Sequence, residues 1–339
     1  MRAAPLRVAL VGYGRVGGAF VQHLREQTDY LYRRYGVCFA LTGVLDVAGF
    51  SVNSSGLVPT SEWIESTWTT GYLSIEEFLS LSQADVLIDA TTLDLEPSGS
   101  AFERISRALQ SGVHVITSNK GPIATGYSKL SELAAIDRSN SRGTALRFSA
   151  CVVGALPLVT VGSRDLAASP ITRIQGVLNG TSHLVLTGMR SGDSRETALA
   201  RAQAQGMAEE DPSHDLSGRD AAAKLVILAN ALLEFPATLS DVTVTGLDGV
   251  LPSCDDDCLV MPIATAEVED KNVSLRVGPE CIGRDHSLAA LGPNDMGAVI
   301  STADGTELTL ISNEPGAATA GAAILRDLLD ISRWAYECA

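Results

Sequence analysis

The chain has 339 residues, of which 45% are hydrophobic and 19% charged, with a formal net charge of −15. This is the balance of a globular protein long enough for two domains, and its acidity excludes phosphate-backbone binding as a main task, so nucleic acid is not an expected partner. No apolar run reaches the roughly 18 residues of a membrane span, and Met1 to Gly14 reads as a strand entering a glycine turn rather than a signal peptide, which points to the cytoplasm.

From the N-terminus, Leu6 to Gly12 is an apolar run, followed by Gly12-Tyr13-Gly14-Arg15-Val16-Gly17 and a helical pattern through about Arg34. Strand, glycine turn and helix together let a pyrophosphate approach the helix N-terminus, whose partial positive charge favours it. Gly12, Gly14, Arg15, Val16 and Gly17 are therefore the expected cofactor contacts. The next strand, Phe39 to Leu45, ends at Asp46, an acidic residue suited to the adenosine ribose hydroxyls. Val47 to Thr60 reads as a loop without Arg or Lys, which a 2′-phosphate would want, so the sequence leans to NAD over NADP. Ala84 to Thr92 is a buried strand that ends on Thr91 and Thr92. A helix from Ala101 to Gln110 and a strand from Val113 to Thr117 come next, and the strand opens into Ser118-Asn119-Lys120-Gly121-Pro122. This alternation predicts an α/β fold with a parallel, doubly wound sheet whose ligands bind beyond the strands' carboxyl ends, with Thr91 and Lys120 at that edge. Asp137 to Thr144 is a turn-rich connection, and Ala145 to Val153 begins a second domain.

In the second half the sequence turns sharply at Asn179-Gly180-Thr181. Ser194 to Gln205 reads as a helix with Asp193 as N-cap, Glu196 as its capping-box partner and Gly206 as its stop. Five carboxylates lie between Glu209 and Asp220, and a second helix runs from near Ser217 to about Leu233. On that helix Asp220 and Lys224 stand i,i+4 on one face, with Glu209 and Asp215 delivered from the preceding loop. The same residues read most plainly as a solvated acidic loop with one helix ion pair. They also read as a cup for a small zwitterion: carboxylates hold an α-ammonium or hydroxyl, and the lysine moves a proton to or from a carbonyl oxygen. His183 follows the turn as a partly buried, satisfied histidine. Strand-like runs at Val242 to Gly246, Met261 to Val268, Val273 to Val277, Ala298 to Thr302 and Thr306 to Ile311 predict a mostly antiparallel or mixed sheet, so this domain is α+β. Cys38, Cys151, Cys254, Cys258, Cys281 and Cys338 are scattered and read as reduced thiols. The close pair Cys254 and Cys258 encloses three aspartates as an exposed acidic loop, and no metal is expected.

The stretch Gly176 to Leu228 resembles the signature region of the homoserine dehydrogenases, NGT, a helix, then G-x-x-E-x-DP-x-x-DL-x-G-x-D-x-x-x-K. It is matched by Asn179, Gly180, Thr181, Gly206, Glu209, Asp211, Pro212, Asp215, Leu216, Gly218, Asp220 and Lys224. Thr117-Ser118-Asn119-Lys120 is similar to the family's T-A-N-K segment, and Thr319 to Trp334 resembles its closing helix, which returns to the nucleotide domain. The resemblance implies a Rossmann-type domain over 1–148, completed by the C-terminal segment 314–339, and a catalytic and dimerisation domain over 149–313. The implied reaction is reversible NAD(P)-dependent hydride transfer between L-aspartate 4-semialdehyde and L-homoserine, in a homodimer without an added kinase or regulatory domain. Lys120 and Lys224 would share proton transfer, Glu209 and Asp220 would hold the substrate's ammonium or hydroxyl, Asp215 would orient Lys224, and Thr181 would meet the α-carboxylate. The chain departs from the family on one rim. Ser149 replaces a glutamate that helps bind a monovalent cation in some relatives, so strong cation activation is not expected. Val153 and Ala155 replace glycines near the nicotinamide, and Ser312 to Pro315 replace a glycine-rich turn. These departures keep open a dehydrogenase of a related semialdehyde or amino alcohol. A catalytically idle dinucleotide-binding redox sensor is the other alternative, against which the retained lysines and acidic cup speak.

Overall fold

The computed structural model describes residues 4–57, 67–93, 95–96, 98–135, 143–247, 251–270, 272–313 and 316–337. They divide into two units, Met1–Gly154 with Gly316–Ala339, and Ala155–Pro315.

The first unit holds β1 (Leu6–Val11), α1 (Arg15–Tyr35), β2 (Phe39–Asp46), β3 (Gly49–Val52), α2 (Ile75–Ser82), β4 (Val86–Asp89), α3 (Ser100–Gln110), β5 (His114–Thr117), α4 (Lys120–Ala135), β6 (Leu146–Arg147) and a C-terminal helix, Ala317–Glu337. The sheet order is β3-β2-β1-β4-β5-β6, parallel throughout except for β3, which runs antiparallel to β2. The order reverses at β1, so the crevice beyond the carboxyl ends of β1 and β4 is where a doubly wound sheet takes its ligand. Val8, Leu10, Ile88 and Ile116 from the strands pack with Phe20 of α1 and Ile324 and Leu328 of the C-terminal helix, all without exposed surface. Each such side chain stabilises by roughly 1.5–3 kcal/mol, which anchors both helices to the sheet that carries the glycine turn.

One expectation for this unit needs correction. The stretch after Asp46 is not all loop, because Gly49, at φ 141°, turns the chain back so that Phe50 pairs with Leu45 and Ser51 with Val44. The pairing depends on an open edge of β2, which local composition does not reveal; residues 58–60 lie outside the described residues, as do 137–142 of the turn-rich connection. By compactness residues 149–154 pack with this unit, since β6 pairs with β5 and the turn after it is bonded to the C-terminal helix.

The second unit holds β7 (Ile171–Val177), α5 (Gly180–Arg190), α6 (Arg195–Ala204), α7 (Arg219–Leu232), β8 (Val242–Val244), β9 (Cys258–Glu269), β10 (Asn272–Gly283), β11 (Met296–Thr302) and β12 (Glu307–Ser312). Its sheet runs β12-β11-β7-β9-β10-β8, antiparallel apart from the β8–β10 pair, and α5 and α7 pack on β9. The cap of α6 is Ser194, not Asp193: its hydroxyl accepts from the Thr197 amide, while Asp193 pairs with Arg201 at 2.8 Å. Cys254 and Cys281 are joined in a disulfide, Cα–Cα 5.9 Å, which corrects the expectation of six thiols. The antiparallel register of β9 and β10 sets Cys281 opposite Val260, and the segment leading into β9 folds alongside it. Cys38, Cys151 and Cys258 are free thiols.

Candidate active site

At the head of the first sheet the glycine turn is shaped by close approach. Gly12, at φ 90°, sits where a Cβ would lie 2.6 Å from the Ala90 carbonyl oxygen, and at Gly17 a Cβ would lie 2.1 Å from the Gly12 carbonyl oxygen. Gly14 is different: it is exposed, its φ of −84° is ordinary, and nothing lies within 4 Å of an added Cβ. It caps α1 without a side-chain hydrogen bond and no acid stands in the first turn, so the amides of the helix start are presented to an anion, with Arg15 exposed beside them. Asp46 closes the turn from below, accepting from the Tyr13 amide at 2.5 Å and from the Val47 amide at 2.7 Å.

The carboxyl ends of β4 and β5 are tied by a buried network. Asp89, fully buried, pairs with Arg104 at 2.7 Å and accepts from the Thr91 hydroxyl at 2.7 Å. Asn119, also buried, donates to Thr91 Oγ1 and to the Thr92 carbonyl, and accepts from the Gly121 amide to start α4. Lys120 follows as the first residue of α4, half-buried. The turn that succeeds β6 lies against the same edge: Cys151, fully buried, donates to the Thr117 carbonyl at 3.3 Å, and burial pushes its thiol pKa up, with Lys120, Asp327 and Asp89 within electrostatic reach. Val153 in this turn is buried at φ 46°, a left-handed conformation that costs a β-branched residue on the order of 1–3 kcal/mol. Ser149 offers a cation no anionic oxygen. Its amide and hydroxyl both donate to Asp327, whose two oxygens are thereby engaged, so the residues present do not fit the monovalent-cation site implied for relatives with glutamate here.

In the second unit the acidic cup is organised around a residue that sequence reasoning left unassigned. Asn179 caps α5, accepting from the Ser182 amide, and its Nδ2 donates to Asp215 at 2.7 Å and to Asp220 at 2.8 Å. Lys224 in turn donates to Asp220 and to the Leu178 carbonyl, both at 2.6 Å, with the two charged side chains only 12% and 13% exposed. Asp215 thus reaches Lys224 through Asn179 and Asp220 rather than directly. The signal was present: an Asn directly before a helix is a capping residue, and two nearby carboxylates need a shared donor. The Thr181 hydroxyl is committed to the Met207 carbonyl at 3.0 Å, which pins the start of α5 to the acidic loop. Glu209 is exposed, and it is its backbone carbonyl, not its carboxylate, that Gln203 engages. His183 is buried and donates to the Asp295 carbonyl at 2.9 Å, burial lowering its pKa. A cavity of about 20 Å³ behind Asn179 and Asp215 has room for one water, not an amino acid. A wider depression of about 480 Å³ is lined by Arg195, Asp211, His214 and Arg219, and neither Asp220 nor Lys224 lines it.

The comparisons with known proteins bear on both halves. The pattern described as homoserine dehydrogenase matches residues 157–329, and that of the homoserine dehydrogenase NAD binding domain matches residues 12–142. The chain belongs to the homoserine dehydrogenase family. It is 30% identical to the homoserine dehydrogenase of Methanocaldococcus jannaschii over 96% of this chain and 98% of that one. It is 32% identical to the NAD(+)-dependent homoserine dehydrogenase of Pseudomonas canavaninivorans over 96% of each. The solved structure of a hyperthermophilic archaeal homoserine dehydrogenase in complex with NADPH superposes with a TM-score of 0.80 at 25% identity, covering 97% of this chain and 98% of that one. The homoserine dehydrogenase fold therefore holds for both units, and the chain is an NAD(P)-dependent oxidoreductase acting on a CH–OH group. Among the described residues no helix is long and apolar enough to cross a membrane.

Proposed function

We propose that this chain catalyses reversible hydride transfer between L-aspartate 4-semialdehyde and L-homoserine, with the linked Asn179, Asp215, Asp220 and Lys224 as the observation that carries the reading. The nicotinamide, when bound, supplies the hydride for the aldehyde carbon. Lys224 and Lys120 donate to the substrate oxygen, neutralising the alkoxide as it forms. Asp220 holds Lys224 as an ammonium donor, Asp215 fixes Asn179, and Asn179 bridges the two carboxylates. Asp220 and Glu209 receive the substrate's ammonium or hydroxyl. The Thr181 hydroxyl already donates elsewhere, so the α-carboxylate is met by backbone amides at the start of α5.

The cofactor lies on Gly12, Gly14, Arg15, Val16 and Gly17, with Asp46 at the ribose and Thr91 and Lys120 toward the nicotinamide. In this reading residues 1–148 with 314–339 serve the dinucleotide, 149–313 serve catalysis and dimerisation, and the enzyme works as a cytoplasmic homodimer. Purified protein with L-homoserine and either oxidised cofactor tests the reaction through the absorbance of reduced nicotinamide. A specificity constant of about 10⁴ M⁻¹s⁻¹ or more supports it, and no turnover in either direction overturns it. One observation favours a second reading, a related amino alcohol or semialdehyde: Val153 is buried at φ 46°, in the place of a family glycine. Under that reading L-homoserine turns over poorly and Val153→Gly raises its specificity constant.

A further inference from the structure

The turn at residues 148–154 is held from outside by one helix. Ser149 donates twice to Asp327, from its amide at 2.9 Å and its hydroxyl at 2.7 Å. Arg326, next along the C-terminal helix, donates to the Gly154 carbonyl at 2.5 Å. Between these two clamps sits Val153 in its left-handed conformation, a local strain that persists only where the surroundings over-determine the backbone. The turn passes its position on through Cys151, which donates to the Thr117 carbonyl, three residues before Lys120. Asp327 is 3% exposed, and a buried carboxylate is retained at a desolvation cost that its two hydrogen bonds offset. Nothing in the hydride transfer itself uses it.

We propose that Asp327 is a positioning residue for the reaction: its carboxylate, through Ser149 and the buried turn carrying Cys151, sets the end of β5 from which Lys120 is presented. The pair does internally what an added cation would otherwise do, ordering a turn that has lost its glycines. This rests on the reading of Lys120 as a proton donor in the reaction. The effect belongs on the chemical step and not on the dinucleotide, because the bonds from Asp327 lead through Ser149 toward Lys120, whereas the glycine turn at residues 12–17 is tied to Asp46.

The test is a double-mutant cycle of Ser149→Ala and Asp327→Asn, with kcat and KM for L-homoserine, the cofactor dissociation constant and the melting temperature measured for each. Ser149→Ala removes one hydroxyl and leaves the amide bond to Asp327, so it keeps the experiment readable if Asp327→Asn folds poorly. The expected result is a fall in kcat of tenfold or more in each single variant, with cofactor affinity within about twofold. The double variant should be no slower than the slower single, since coupled groups act as one unit. Singles that keep kcat within about threefold of wild type, or losses that multiply in the double variant, overturn the positioning role. So does a loss that disappears when rates are expressed per folded molecule. Wild-type protein inert toward L-homoserine overturns the parent reading, and this role with it, before any variant is compared.

Discussion

The glycine turn permits an experiment in which folding and binding come apart. At Gly17 the space for a side chain is occupied: a Cβ would stand 2.1 Å from the Gly12 carbonyl oxygen, where real Cβ contacts stay beyond 3.0 Å, and the obstacle is backbone. Relieving an overlap of that size means pushing α1 off the turn, with a cost on the order of 1–3 kcal/mol or more. At Gly14 the same atom meets nothing within 4 Å, at an ordinary φ of −84°. There alanine gains about 0.4–1 kcal/mol from a stiffer unfolded chain and loses a comparable amount as a poorer N-cap, so the sum is near zero. Gly14→Ala should therefore leave the melting temperature within about 3 °C of wild type, whereas Gly17→Ala should lower it by about 3–10 °C. If the open space at Gly14 is where the pyrophosphate approaches the helix amides, a methyl group there weakens dinucleotide binding by tenfold or more despite the intact fold. Differential scanning fluorimetry and a fluorescence titration of NADH and NADPH on the same samples give both numbers. Unchanged affinity in Gly14→Ala, within about twofold, would refute the placement of the cofactor on this turn.

Lys120→Ala and Lys224→Ala should each lower turnover by about two or more orders of magnitude with little change in cofactor affinity; retention of more than about a tenth of wild-type turnover in both would remove the lysines from proton transfer. NADH should bind more tightly than NADPH at moderate salt, because Asp46 closes the turn and residues 47–57 carry no basic side chain; the reverse order of dissociation constants would show that a cation from elsewhere serves the 2′-phosphate. Cys281→Ser opens a loop of 27 residues, for which loop-closure entropy gives an upper estimate of about 3.5 kcal/mol; a denaturant midpoint that neither the substitution nor a reductant shifts would count against the bond's contributing to stability. Burial, opposed by the bonds from Ser149, raises the Asp327 pKa from 3.8 to about 6. The folded state therefore binds this proton more tightly than the unfolded chain, and stability relative to Asp327→Asn should fall as pH rises from about 4 through about 6, by a few kcal/mol at most. Urea midpoints for the two proteins at pH 5 and pH 7 that shift in parallel would contradict this.

What the sequence revealed, and what it concealed, follows from how far each constraint reaches along the chain. Gly17 was legible because its missing Cβ is demanded by Gly12, five positions earlier, whereas the demand at Gly12 comes from Ala90 on a neighbouring strand and was legible only through the spacing of the glycines. The pair of Asp220 and Lys224 was legible because one helical turn sets their spacing. The strand after Asp46 was hidden by its composition, since a short segment with glycine and serine becomes a strand only when a neighbouring edge is free to receive it. The cap of α6 turned on two adjacent candidates, Asp193 and Ser194, and the ion pair of Asp193 with Arg201, about two helical turns on, leaves the hydroxyl to do the capping. Glu209 matches a motif position, yet its side chain is exposed while Asn179, on the same motif, joins Asp215 to Asp220.

The least legible features join distant positions. Cys254 and Cys281 are bonded across 27 residues and Ser149 and Asp327 across 178, and no spacing rule connects either pair. Each follows from tertiary register: the offset of β9 against β10 in one case, the return of the C-terminal helix to the first sheet in the other. The Ser149 pairing changes what the sequence departures mean. Taken singly, Ser149 looks like a lost cation ligand and Val153 like an intrusion into the pocket. With Asp327 bonded to Ser149 on one side and Cys151 bonded to the end of β5 on the other, the loss of one charge and the gain of one strained side chain belong to a single turn, clamped at Ser149 and at Gly154 by successive residues of one helix. A turn held in that way keeps a strained valine without a cation. For that reason, replacing sodium or potassium with choline at constant ionic strength should leave both turnover and melting temperature unchanged, within about twofold and about 1 °C. A dependence on either ion would mean that backbone carbonyls of the turn bind it unaided and that the clamp alone is not enough.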